Sequence, residues 1–225
     1  MLLSIHVPKA AGNSFREALM GAYGPRIMLD YGDWAGFNTP EANERRAERE
    51  RNMRARRDEL ASNYDAIHGH FIADKYVGLF PDAKFVAFFR DPYQQAVAHY
   101  YFLQRNPQRP HPEETIFHER NMSLADYLEW SAFQNHQSQF LGSLSIDDLA
   151  FVGLSEEYAE SLAMFEAIFG TALDVKFENV NPLRQAEGYH IDAEVRKAVN
   201  KYRGADVELY ERAKVLFAKQ LQRVA

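Results

Sequence analysis

Met1-Leu-Leu-Ser-Ile-His-Val-Pro-Lys-Ala-Ala-Gly-Asn-Ser-Phe15 decides the reading of this chain. Leu2 to Val7 is an apolar run that reads as a buried strand, Pro8 to Gly12 as a short loop, and Asn13 to Met20 as the start of a helix. A strand that enters a helix through a tight loop builds an anion site, because backbone N–H groups at the helix start lack intrahelical acceptors and the helix dipole favours negative charge there. Asn13 or Ser14 is the expected N-cap, and Gly12 allows close backbone approach to a phosphate. Lys9 adds a point charge inside the loop. The order of residues is not that of a Walker A loop, which needs its lysine after the glycines; here Lys9 precedes Gly12.

Working outward, strands and helices alternate. Tyr64 to Gly69, Ala83 to Phe89 and Ala150 to Leu154 read as strands, and the second is apolar enough for a parallel strand covered on both faces. Helices are expected over Pro92 to Gln104, from the Ser123-Leu-Ala-Asp126 capping box, from Ser155 to about Phe169, over Asp192 to Tyr202 and over Asp206 to Arg223. The pattern predicts an α/β fold: a doubly wound parallel sheet between helix layers, with ligands outside the carboxyl ends of the strands. Thr39 to Ala61 stands apart, with seven arginines against six acids. Thr39 as N-cap and Pro40 at the first helical position start a helix there, and near-cancelling charge favours i,i+4 pairing on a solvated surface. A set of arginines facing an anionic acceptor is the other reading.

Composition bounds the function. The chain has 225 residues, 46% of them hydrophobic, which supports a packed core in one α/β domain of ordinary size or two small ones. A net charge of −6 offers no global basic field for nucleic acid. Cysteine is absent, which removes disulfides, thiolate metal sites and cysteine nucleophiles. No apolar run reaches the ~20 residues of a membrane span, and the start has no signal-like pattern, so a cytoplasmic location is expected.

Two further segments carry chemistry. In Phe88-Phe-Arg-Asp-Pro92, Arg90 stands at a strand tip, where its guanidinium can bind a phosphate with two parallel bonds; an ordinary surface Arg-Asp pair at a helix start is the alternative. In Ile67-His-Gly-His-Phe71, His68 and His70 lie two residues apart on one side of an extended chain. A histidine is suited to take a proton from a hydroxyl near neutral pH. Two histidines also suit a metal, but no third ligand at motif spacing accompanies them; a structural pair is the remaining reading.

These segments resemble, in order, motifs of the sulfotransferases that use 3′-phosphoadenosine-5′-phosphosulfate. Pro8-Lys9-x-x-Gly12-x-Ser14 is similar to the family's 5′-phosphosulfate loop, and Arg90-Asp91-Pro92 with Tyr100-Tyr101 to its 3′-phosphate motif. His68-Gly69-His70, the Asn135-x-Gln137 segment with Leu141 and Gly142, Val152-Gly-Leu154 and Asp206 to Tyr210 resemble elements of the heparan 2-O-sulfotransferase-like branch. The resemblance implies a single P-loop-like sulfotransferase domain over residues 1–225, with 39–61 as a charged helical excursion. It implies that Lys9, Ala10, Ala11, Gly12, Asn13 and Ser14 bind the 5′-phosphate side of the donor, and Arg90 with position 98 the 3′-phosphate. It makes His70 the base and His68 its support, requires no metal, and gives a carbohydrate or other small molecule as acceptor. Gln95 and Ala98 depart from the family's arginine and serine, which keeps open a non-catalytic nucleotide-binding module. A P-loop-like kinase shares the architecture but needs its lysine elsewhere.

Overall fold

The computed structural model describes residues 1–33, 35, 39–106, 112–175 and 188–224. Five strands form one all-parallel sheet: β1 (Leu2–Ile5), β2 (Ile27–Asp30), β3 (Ala66–Gly69), β4 (Lys84–Phe89) and β5 (Phe151–Leu154), in the order β2-β3-β1-β4-β5. The helices that flank it are α1 (Gly12–Tyr23), α2 (Pro40–Ala55), α3 (Arg57–Asn63), α4 (Pro92–Arg105), α5 (Pro112–Glu119), α6 (Leu124–Glu129), α7 (Tyr158–Phe169), α8 (Ala193–Tyr202) and α9 (Gly204–Val224). This is the α/β, doubly wound architecture that the alternation predicts.

The parallel sheet is covered on both faces: every residue of the inner strands β1 and β3, and of edge strand β5, is buried. Register follows from that burial. Leu3 of β1 sits opposite Ile67 and Phe85, and Ser4 opposite His68 and Val86. Phe15 of α1 packs against Phe88 at 4.8 Å and Phe165 at 5.6 Å, which locks the helix after the first loop onto the sheet. A second apolar cluster, with Val97, Leu103, Tyr127, Phe133 and Val199, ties α4 to α6 and α8.

Several expectations are corrected at the residue level. The first strand stops at Ile5, leaving His6 and Val7 outside it. The cap of α1 is Ala11, in the left-handed conformation with φ 63°, and neither Asn13 nor Ser14 caps the helix. Ser155 does not cap α7, which opens after Glu157. Edge strand β2 has no counterpart among the strands read from the sequence; four residues with Leu29 exposed give little periodicity to detect. The charged helix is two, divided at Arg56. Thr39 caps its start as expected, accepting from the Ala42 N–H at 3.2 Å.

The charged helix is also less solvated than its composition predicts. Arg49 reaches inward to Asp30 at 2.5 Å and Asp33 at 2.6 Å, and both carboxylates are shared with Lys75 at 2.5 and 2.7 Å. Tyr76 donates its hydroxyl to Asp30 as well. Burial pushes the Asp30 carboxyl up, but Lys75, Arg49 and Tyr76 outweigh it and hold the group below its ordinary value. Two acids against two bases leave the cluster neutral, and it fastens α2 to the carboxyl end of β2.

Among the described residues no helix is long and apolar enough to cross a membrane.

Candidate functional site

Parallel strands end on one side, so the residues after β1, β2, β3 and β4 meet there: His6 and the Lys9 loop, Tyr31, His70, and Arg90. β1 is central and its neighbours β3 and β4 diverge in sequence, which makes its carboxyl end the switch point of the sheet.

The loop between β1 and α1 is strained in a way that suits an anion. Lys9 (φ 62°) and Ala11 (φ 63°) are both left-handed without being glycine, a conformation costing about 1–2 kcal/mol per residue. Left-handed Ala11 directly before right-handed Gly12 turns successive N–H groups into one concavity. The helical ladder opens with Phe15 N–H to Ala11 C=O at 3.0 Å, so the N–H groups of Gly12, Asn13 and Ser14 precede it.

Two side chains from the β4–α4 segment hold this loop from outside. Gln95 donates from Nε2 to the Pro8 carbonyl at 3.0 Å, and Arg90 from Nη1 to the Lys9 carbonyl at 3.1 Å. Consecutive carbonyl oxygens are thereby tied back to donors, which lessens their repulsion of a bound anion. Arg90 is fixed in turn by Gln137, whose amide accepts from its N–H at 3.0 Å and donates to its C=O at 2.8 Å. The Lys9 ammonium lies 4.4 Å above the Phe102 ring. Ala98 is buried on α4 and offers no hydroxyl.

Gly12 has a role the sequence did not disclose. A Cβ there would lie 1.9 Å from His6 Cδ2, so the glycine makes room for the His6 ring against the loop. His6 is the functional candidate the sequence reading missed, absorbed into an apolar run; its signal was one polar residue at the end of that run, beside the loop. The ring stacks on His70 at 4.0 Å, lies 5.1 Å from His68, and bonds Tyr31 OH through Nδ1 at 2.8 Å. Its backbone oxygen accepts from His70 Nδ1 at 2.7 Å. A carbonyl only accepts, so the His70 proton sits on Nδ1 and Nε2 is the basic nitrogen of the neutral ring. Tyr31 at 4.9 Å and Phe140 at 5.9 Å complete the surroundings of this half-buried ring.

His68 is different in kind. It is fully buried, with Nδ1 on Ser4 Oγ at 2.8 Å, and Nε2 makes no hydrogen bond. Burial lowers its pKa to about 3, helped by His70 and Arg16 and opposed by the nearby Gly12 carbonyl. At neutral pH it is an uncharged wall of the cluster, reaching His70 through His6. His6 is likewise held well below the ordinary histidine range, by burial first and then by His70 and His68. No cluster of acids, histidines or cysteines among the described residues has the geometry of a metal centre.

Two segments that said little in sequence meet behind the loop. Arg203, at the α8–α9 junction, donates to Gln95 Oε1 at 3.0 Å and to Tyr127 OH at 2.9 Å. Asp206 accepts from the N–H groups of Gln137 at 3.0 Å and Ser138 at 2.8 Å, which joins the amide-rich turn to α9.

No family model matches the chain, and no curated protein matches it by sequence. Among solved structures, the chain is similar to the crystal structure of a sulfotransferase from Alicyclobacillus acidocaldarius, at 17% identity and a TM-score of 0.50, over 96% of this chain and 95% of that one. The molecule therefore shares its fold with a sulfotransferase.

Proposed function

We propose that the chain is a sulfotransferase: one domain over residues 1–225 that transfers the sulfuryl group of 3′-phosphoadenosine-5′-phosphosulfate to a hydroxyl of a carbohydrate or other small molecule. The observation that carries the reading is the convergence of the strained Lys9 loop, Arg90 and His70 at adjacent strand ends, with Arg90 bonded to the Lys9 carbonyl. The residues fit such a donor, since the loop combines a helix start, a backbone concavity and a lysine for the phosphosulfate end. Arg90 is assigned to the 3′-phosphate, which it meets without a hydroxyl from position 98.

In this mechanism His70 Nε2 takes the proton of the acceptor hydroxyl while Nδ1–H stays on the His6 carbonyl. The acceptor oxygen forms its bond to sulfur as the bond from sulfur to the 5′-phosphate oxygen breaks, and that oxygen leaves with the electron pair. Lys9 neutralises the charge growing on it, and the N–H groups of Gly12, Asn13 and Ser14 hold the phosphate, the Ala10 N–H of the expected set being taken by the Val7 carbonyl at 3.3 Å. Positioning and charge stabilisation carry a group transfer of this kind. The test is donor consumption against panels of sugars, lipids and phenols, with labelled sulfate followed into product. Label in an acceptor, lost on Lys9→Ala, supports the reading; tight donor binding with no transfer to any panel favours a binding module.

A further inference from the structure

Arg203 is a cation that the mechanism does not use. It is completely buried, with its guanidinium carbon 5.2 Å from the Tyr127 ring centre and its Nε making no hydrogen bond. Its two hydrogen-bond partners, Gln95 and Tyr127, are both neutral. The acid three residues on, Asp206, feels the Arg203 charge, but burial outweighs it and pushes the carboxyl up; its oxygens are spent on the Gln137 and Ser138 N–H groups, and no acid among the described residues forms a direct ion pair with Arg203. A guanidinium stays charged in a protein interior, and a buried charge with no directly bonded counterion is costly.

The hydrogen bonds say where that charge is directed. Arg203 occupies Gln95 Oε1, which fixes the amide so that its NH₂ faces the Pro8 carbonyl at 3.0 Å and His136 Nδ1 at 3.3 Å. One amide thus separates Arg203 from the loop that holds Lys9. The other ionisable groups on this side, His99 and His136, are kept well below the ordinary histidine range, by burial first and with Arg203 pushing the same way.

We propose that Arg203 is the buried counter-charge of an anion bound on the Pro8 to Ser14 loop, a positioning residue that acts through Gln95 without touching the ligand. The ligand class is a phosphate-bearing polyanion. This rests on the donor reading above, and the experiment separates the two.

The experiment titrates adenosine 3′,5′-bisphosphate into wild type, Arg203→Gln and the exchange Arg203→Gln/Gln95→Arg, at several salt concentrations. Arg203→Gln keeps hydrogen-bonding capacity and removes the charge; the exchange returns the charge across the same contact. The single variant binds about tenfold or more weakly and with a flatter salt dependence, while the exchange binds within about threefold of wild type. A lost hydrogen bond alone would not change the salt dependence. A folded Arg203→Gln with undiminished affinity overturns the inference, as does a folded exchange variant that binds as weakly as the single. If the single variant does not fold, the exchange decides by itself, because it retains the charge. If wild type ignores the bisphosphate but gains melting temperature with inorganic phosphate, the donor reading fails, and the phosphate-induced shift in each variant tests Arg203 alone. Wild type indifferent to both overturns both.

Discussion

The Arg90 guanidinium donates from Nη1 to the Lys9 carbonyl at 3.1 Å, so the residue assigned to one end of the donor also braces the loop assigned to the other. The two ends are therefore coupled. Arg90→Ala removes a bond to the loop and a cation for the 3′-phosphate, each to a charged partner or donor and worth about 1.5–3 kcal/mol where a charge is involved. The variant loses affinity for adenosine 3′,5′-bisphosphate most strongly and loses some for adenosine 5′-phosphate too. Calorimetric titration of both nucleotides checks this; an unchanged 5′-phosphate affinity would mean that the Lys9 carbonyl contact does not support the loop.

Lys9 and His70 separate by which rate parameter they move. Lys9→Ala lowers turnover by ~10² or more through loss of a transition-state charge partner. His70→Ala lowers it by ~10²–10⁴ with donor affinity little changed. Single-turnover rates with saturating donor measure both. A His70 variant that binds donor poorly and turns over normally would make His70 a binding residue and place the base elsewhere.

Acid sensitivity follows from the buried histidines. Burial holds His6, His68, His99 and His136 below the ordinary histidine value, His68 at about 3. Below the unfolded value near 6.5 the unfolded chain binds protons that the folded chain refuses, so stability is full above that value and falls as pH drops, by up to about 1.4 kcal/mol per pH unit for each histidine. Melting temperature is then flat just above neutrality as far as histidines contribute, and steep below about pH 6.5. His68→Gln shallows the slope by one proton; equal slopes would place His68 outside the buried set.

The ion cluster under α2 gives a stability test away from the site. Lys75→Met leaves Asp30 and Asp33 with Arg49 as the remaining cation among the partners described, and breaking a buried pair on one side costs about 3–5 kcal/mol. Chemical denaturation measures it. A loss below about 1 kcal/mol would show the cluster behaving as a surface pair.

Legibility in the sequence followed burial and chemical type. β4 and β5 were readable because apolar runs between turn residues leave little choice, and the Ser123 cap because its reciprocal pairing with Asp126 is a pattern written within four residues. β2 was not, being four residues at a sheet edge with a partner fixed only by tertiary pairing. At the site, the Lys9 loop, Arg90 and His70 stood out as polar residues at strand ends. The Ala11 cap did not, because nothing about an alanine announces a left-handed conformation. Arg203 meets Gln95 across 108 positions, a distance no local pattern spans. The Arg-rich helix read as solvated because its inward contact, Arg49 to Asp30 and Asp33, is equally non-local.

The most direct test of the central claim is the titration of wild-type protein with adenosine 3′,5′-bisphosphate and, in parallel, adenosine 5′-phosphate. The account predicts that the bisphosphate binds more tightly by about tenfold or more, from the charge-assisted contact of Arg90 with the 3′-phosphate. Equal affinities, or binding of neither nucleotide, would contradict it.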